Sequence, residues 1–205
     1  MKDLLSTQFV SHLNNRKDID EAEKATVPTE VPAQTTNAEV FDLLDKEENF
    51  FQPIGVGSVT YHNPSHLEIV VVNYEKLLND LPEIVTKNLK RPDYIVFDSE
   101  KDDKYIIINE LSQGKPVSKR NDAKYQMSNA IKILMEVPDI QEWINKRPYR
   151  WCVFSCRNTF PETPEGIADA FGLNGKNLPE RIEIKFQPIT KAGFTAFETD
   201  VIRLD

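Results

Sequence analysis

The stretch RPDYIVFDSEKDDKYIIINELSQGKPVSKRNDAKYQMSNAIKIL, residues Arg91 to Leu134, decides the fold. Two apolar runs, Tyr94–Phe97 and Tyr105–Ile108, enclose the charged hexapeptide Ser99–Lys104. Apolar runs bounded by polar turn residues read as strands. As an antiparallel hairpin looped through Ser99–Lys104, the pair sets Asp98 across from Tyr105 and Asp93 across from Glu110. Facing residues carry Cβ atoms ~4.5–5.5 Å apart, and like charges placed so repel. Successive side chains alternate between the faces of a strand. Asp93, Ile95 and Phe97 therefore share a face with Ile106, Ile108, Glu110 and Ser112. That apolar stripe ends in two carboxylates and a hydroxyl. Such an oxygen array suits a hard divalent cation; without one, the paired carboxylates would raise the pKa of one carboxyl. Tyr94, Val96, Ile107 and Leu111 make the opposite face apolar too. Two apolar faces predict central strands covered by helices on both sides.

Downstream, Ser112–Asn121 is a polar loop holding Gly114, Lys115, Pro116, Lys119 and Arg120. A helix over Asp122–Met135 follows, burying Ala123, Met127, Ala130, Ile131 and Leu134, with Lys124 on its opposite ridge. Lys115, Lys119, Arg120 and Lys124 lie just after the carboxylates. They form either a cationic rim for phosphate backbones or an ordinary solvated helix start.

Taken together, Pro92-Asp93, Ile107-Ile108-Asn109-Glu110-Leu111-Ser112 and the helix opening near Asn121 resemble the PD-(D/E)xK nuclease superfamily. The resemblance implies an α/β (α+β) fold with a mixed central sheet flanked by helices, a restriction-endonuclease-like core. It places the strand after the helix parallel to the Glu-bearing strand. It implies that Asp93, Glu110 and the carbonyl of Leu111 bind Mg²⁺ or Mn²⁺. The family's lysine, two residues after the Glu, is replaced here by Ser112. Lys115, Lys119 and Lys124 are the candidates to supply that cation, and Gln126 matches a polar residue on the following helix. The resulting catalytic set is Asp93, Glu110, Ser112, Lys115, Lys119 and Gln126. Lys115, Lys119, Arg120 and Lys124 would contact nucleic acid. The expected function is a metal-dependent nuclease-like protein acting on nucleic-acid phosphodiesters. The alternative is a catalytically inactive nuclease-fold binding module; a third reading is an unrelated α+β protein with Glu110 on its surface.

Composition fits this class. A chain of 205 residues, 40% hydrophobic and 28% charged, is long enough for one domain with a sizeable core, or one domain with an appendage. The formal net charge of -8 argues against non-specific coating of nucleic acid, because that needs Lys and Arg. Apolar runs fall far short of the ~18 residues that span a bilayer. MKDLLSTQFVSHL lacks a secretory h-region, so a cytoplasmic location is expected. Cys152 and Cys156, four apart in one strand, share a face without bridging and are read as reduced thiols. With three histidines in the chain, neither zinc nor nucleophilic-hydrolase chemistry is indicated. The seven glycines make a phosphate-cradling loop improbable.

The remaining chain is read in order. Leu4, Leu5, Phe9 and Leu13 fall at helical spacing, giving a docking helix or short arm, with residues 1–13 open to a protein partner. Residues 1–36 are an arm and linker, and 37–205 a single nuclease-like domain. Asn37 is expected to cap a helix over Ala38–Phe51 whose acidic face holds Asp45, Glu47 and Glu48. Strands are expected at Val56–His62 and Leu67–Asn73. His62 and His66 flank the turn between them, as a metal pair or as plain turn residues. A helix over Tyr74–Leu89 should break near Leu81, before Pro82. A short helix at Pro138–Asn145, a central strand at Tyr149–Cys156 and a helix at Pro161–Phe171 follow. The Gly172–Lys176 loop then leads to a terminal antiparallel pair, Arg181–Pro188 and Phe194–Leu204.

Overall fold

The computed structural model describes residues 1–15, 19–26, 30–44, 48–99, 101–113, 116–157 and 181–204. The central hairpin forms in the register its apolar runs dictate. Tyr94 faces Asn109, Ile95 faces Ile108, Val96 faces Ile107 and Phe97 faces Ile106. Its turn is closed by the Asp98 carboxylate, which accepts the N–H groups of Lys104 and Tyr105, each at 2.8 Å. A fully buried guanidinium, Arg147, braces the turn. Its Nη2 donates to Asp103 Oδ1 at 2.8 Å, and its Cζ lies 3.1 Å from the Trp143 ring centroid. Buried charge is tolerated only when so paired.

In chain order the helices are α1, which passes from Lys2–Leu4 through a π-helical stretch Leu5–Phe9 into Val10–Asn15; α2, Tyr74–Asn79; α3, Glu83–Thr86; α4, Pro116–Met135; α5, Pro138–Asn145; and α6, Gln187–Lys191. The strands are β1 Ala33–Thr36, β2 Val40–Leu43, β3 Phe51–Gln52, β4 Val59–His62, β5 Ile69–Asn73, β6 Tyr94–Asp98, β7 Tyr105–Gln113, β8 Tyr149–Arg157, β9 Ile182–Glu183, β10 Thr195–Glu198 and β11 Val201–Arg203. Seven form one mixed sheet in the order β1-β5-β6-β7-β8-β10-β9. Its β7–β8 and β8–β10 pairs are parallel and its other pairs antiparallel. The α4 crossover from β7 to β8 permits the parallel pairing that the resemblance implied. The fold is thus mixed α/β, built on a large mixed sheet.

The two faces of the sheet are covered differently. On one, Ile95, Phe97, Ile106, Ile108, Cys152 and Phe154 pack against the helices. On the other, Tyr94, Val96, Ile107, Leu111 and Val153 pack against a second, four-stranded sheet, ordered β11-β4-β2-β3. The expectation of helices on both faces is therefore corrected. An apolar sheet face requires an apolar partner, and another sheet serves as well as a helix. The helix expected over Ala38–Phe51 is overturned by the same layer. Phe41 and Leu43 alternate into the inter-sheet core as β2, and Phe51 begins β3. Asp45 and Glu47 lie outside the described residues, and Glu48 is exposed.

Polar stitches join the two sheets. Tyr61 Oη donates to buried Asn109 Oδ1 at 2.8 Å, and Asn109 Nδ2 donates to the Val153 carbonyl at 2.9 Å. Burial pushes the Tyr61 hydroxyl well above its ordinary pKa, so it stays a donor. Asp42, fully buried, accepts from Gly55 N, Gly57 N, Thr60 Oγ1 and Arg157 Nη1 at 2.6–3.0 Å. Gly57 runs so close to β2 that a Cβ would overlap the Leu43 carbonyl.

Other differences are local. Strand β7 continues through Gln113 and α4 starts at Pro116, so the expected loop over Ser112–Asn121 shortens; proline suits the first helical turn, where its missing N–H is not needed. The Tyr74–Leu89 segment does break before Pro82, into α2 and α3. Residues 33–36, assigned to the linker, form the edge strand β1 on β5. Leu5, Phe9 and Leu13 of α1 are fully buried in the helical-side core, so the apolar stripe that suggested a partner is covered intramolecularly. The expected terminal antiparallel pair forms over part of its length, with Ile182–Glu183 against Phe197–Glu198 at the sheet edge. Gln187–Lys191 is helical, and Val201–Arg203 crosses to the second sheet beside β4. The helix and loop read within 161–176 lie outside the described residues. His62 sits at the end of β4 opposite Arg203, and His66 Nδ1 contacts the Asn37 carbonyl at 3.1 Å, so the two serve the turn and second sheet. Both cysteines are free thiols.

Candidate functional site

The site lies where β6 begins and β7, β8 and β10 end. Asp93 is buried just ahead of β6, at 8% exposure. Its backbone carbonyl accepts the first N–H groups of α2, from Tyr74 at 2.9 Å and Glu75 at 3.4 Å. Its carboxylate Oδ2 accepts the Leu111 N–H at 2.6 Å. The side chain is therefore bound to the residue directly after Glu110. Leu111 lies two residues past the last β6–β7 pair, Tyr94 with Asn109, and stands beside Ser155 in the parallel ladder. Its side chain meanwhile packs between the sheets.

Glu110 is half-buried in β7 and Ser112 is buried at 3% exposure. Alternation from Ile106 and Ile108 puts both on the helical face, shared with Ile95 and Phe97. In the parallel register, Glu110 lies beside Phe154, and Phe154 beside Glu198 of β10. Ser112 lies beside Cys156. Desolvation pushes the Cys156 thiol up, with Ser112 and Lys119 pulling the other way and the Glu198 and Asp200 carboxylates reinforcing it. These residues share one electrostatic neighbourhood.

The cations divide. Arg120 Nε contacts Glu198 Oε2 at 2.5 Å, which holds the guanidinium charged and ties α4 to β10. Lys124 donates to Asn121 Oδ1 at 2.9 Å and rests over aromatic rings further along the helix. Lys119 is exposed in the first turns of α4, close enough to Cys156 to act on its thiol. Lys115 lies outside the described residues. Gln126 Nε2 donates to the Arg91 carbonyl at 2.8 Å, fastening α4 to the segment that presents Asp93. Of the four cations expected as a rim, Arg120 is paired with Glu198, Lys124 lies over aromatic rings and Lys119 is exposed near Cys156, while Lys115 lies outside the described residues.

Among the described residues, no three His, Cys, Asp or Glu side chains gather as a metal-binding group. Mg²⁺ does not demand such a cage; it is held by one or two carboxylates with waters and substrate phosphates. Asp93, Glu110 and the Leu111 carbonyl are hard oxygen donors that fit that pattern. Glu198, Cys156 and Asp42 were not anticipated at or near this end of the sheet. Glu198 is 78 residues from Arg120, and no local spacing announces such a pair. No helix among the described residues is long and apolar enough to cross a membrane. Compared with family models, curated proteins and solved structures, the chain matches none.

Proposed function

We propose that this chain is a metal-dependent, nuclease-like protein acting on nucleic-acid phosphodiesters, with β5–β6–β7–α4–β8 as a nuclease-like core. The observation that carries the reading is the Asp93 carboxylate, just ahead of β6, fixed to the N–H of Leu111, the residue that follows Glu110 on β7. The Asp93 carboxylate is held by a backbone N–H, and Glu110 precedes the donor residue in the chain. Mg²⁺ or Mn²⁺ held there would offset phosphate charge and lower the pKa of an attacking water. Asp93 and Glu110 supply the negative charge that holds the ion, and the Leu111 carbonyl adds a neutral oxygen. Lys119 provides the cation facing charge that develops on the phosphate, the role the family gives to the position of Ser112. Ser112 orients solvent by its hydroxyl, and Gln126 positions the Asp93 segment through Arg91.

A second reading, a nuclease-fold module that binds without cleaving, is favoured by one observation. Ser112 is short, neutral and buried where the resembled family keeps its lysine. Metal-dependent cleavage of plasmid and single-stranded substrates distinguishes the two. The enzyme reading expects cleavage with Mn²⁺ that falls at least ~100-fold in Asp93→Ala and Glu110→Ala. Binding with no cleavage of any substrate would replace it with the second reading.

A further inference from the structure

One surface beside the site has no part in the chemistry above. Tyr125, on α4, is 48% exposed. The half-buried Phe186 ring meets it edge-on, centroids 5.2 Å apart at 80°. Lys90 Nζ and Lys124 Nζ each lie 5.3 Å from the Tyr125 centroid. Lys124 Nζ is also 5.3 Å from the Phe186 ring. In a chain of net charge -8, two ammonium groups lie over one exposed aromatic ring. The patch is fastened to the candidate site through backbone. Asn129, one turn beyond Tyr125, accepts the Lys90 N–H at 3.2 Å, and Gln126 holds the Arg91 carbonyl. Lys90 precedes Asp93 by three residues, a chain span of at most about 11 Å.

We infer that Tyr125 is a stacking platform for a base of single-stranded nucleic acid, with Lys90 and Lys124 taking the flanking phosphates. A duplex keeps its base faces inside the stack, whereas a single strand offers each one to an aromatic ring. Its phosphates follow the base on either side and require cations there. The ring and both cations are already assembled, and the flexible ammonium groups that lie over the ring swing aside to the phosphates when a base takes its face. The strand's destination at Asp93 and Glu110 rests on the nuclease-like reading; the platform itself is tested without it.

Fluorescence anisotropy in EDTA, with labelled oligo(dT), oligo(U) and a duplex of about 15 nucleotides, separates the outcomes. Single strands are expected to bind more tightly than duplex, the two oligonucleotides distinguishing DNA from RNA. Tyr125→Ala should weaken binding about 5- to 150-fold, and Tyr125→Phe, which keeps the ring, by less than about twofold. Replacing Lys90 and Lys124 together by Ala should make the log–log salt slope shallower by about 1.4. Failure to bind single strands, or wild-type binding by Tyr125→Ala, overturns the platform. Cleavage with Mn²⁺ is scored separately on the same strands. Tyr125-dependent binding without cleavage removes the nuclease reading and keeps the platform; cleavage with Tyr125-independent binding does the reverse.

Discussion

Ser112 occupies the position from which the resembled family supplies its lysine, and its buried hydroxyl cannot carry that charge. Lys119, exposed in the opening turns of α4, acts electrostatically on Cys156, which lies beside Ser112. Lys119→Ala is expected to lower the single-turnover cleavage rate about 100-fold, the cost of removing one group aimed at developing charge. Ser112→Lys in that background should recover most of the loss. An unchanged rate in Lys119→Ala would exclude it from the chemistry. At this scale the face of Glu110 and Ser112 was legible, because a period of two assigns them to the side of Ile106 and Ile108. The fate of the cations was not. Arg120 is engaged by Glu198 and Lys124 by two aromatic rings, contacts that depend on how distant strands assemble.

Among the elements, α1 shows what amphipathic spacing does and does not convey. Leu5, Phe9 and Leu13 announce a helix with one apolar face, but not which surface covers it. In the fold they are fully buried on the helical side, with the Phe9 and Tyr74 ring centroids 6.0 Å apart. His12 and Gln8 add polar ties to Glu136 and Asp139 at the α4–α5 junction. Phe9→Ala should therefore cost about 3–5 kcal/mol in urea unfolding, as for other large core truncations. A loss under ~1 kcal/mol would mean that α1 is only loosely applied. Residues 38–51 show the opposite failure. Val40, Phe41 and Leu44 mimic helical spacing, yet Phe41 and Leu43 are the pair that enters the core as β2. Short apolar segments fit either period, and the tertiary partner decides.

For the molecule as a whole, the second sheet was the least legible feature. Its strands come from residues 40–62 and 201–203, and their order follows from closure over the large sheet rather than from any single segment. Asp42 and Arg157 join the two layers at 2.9 Å. Asp42→Ala would leave Arg157 without its main counter-charge and several buried donors unmet. A loss of about 3–5 kcal/mol in unfolding free energy is expected. A near-neutral effect would show that the layers are held by apolar packing alone. The carboxyl ends of the parallel strands and the head of β6 meet at one place because β7 and β8 run parallel while β6 runs against them. The proposed function depends on that convergence serving a single ion. Titration calorimetry with Mn²⁺ tests it most directly. The wild-type protein should bind one ion, and Asp93→Ala and Glu110→Ala should each abolish binding while retaining the fold. No Mn²⁺ uptake by the wild type, or undiminished uptake by either variant, would contradict it.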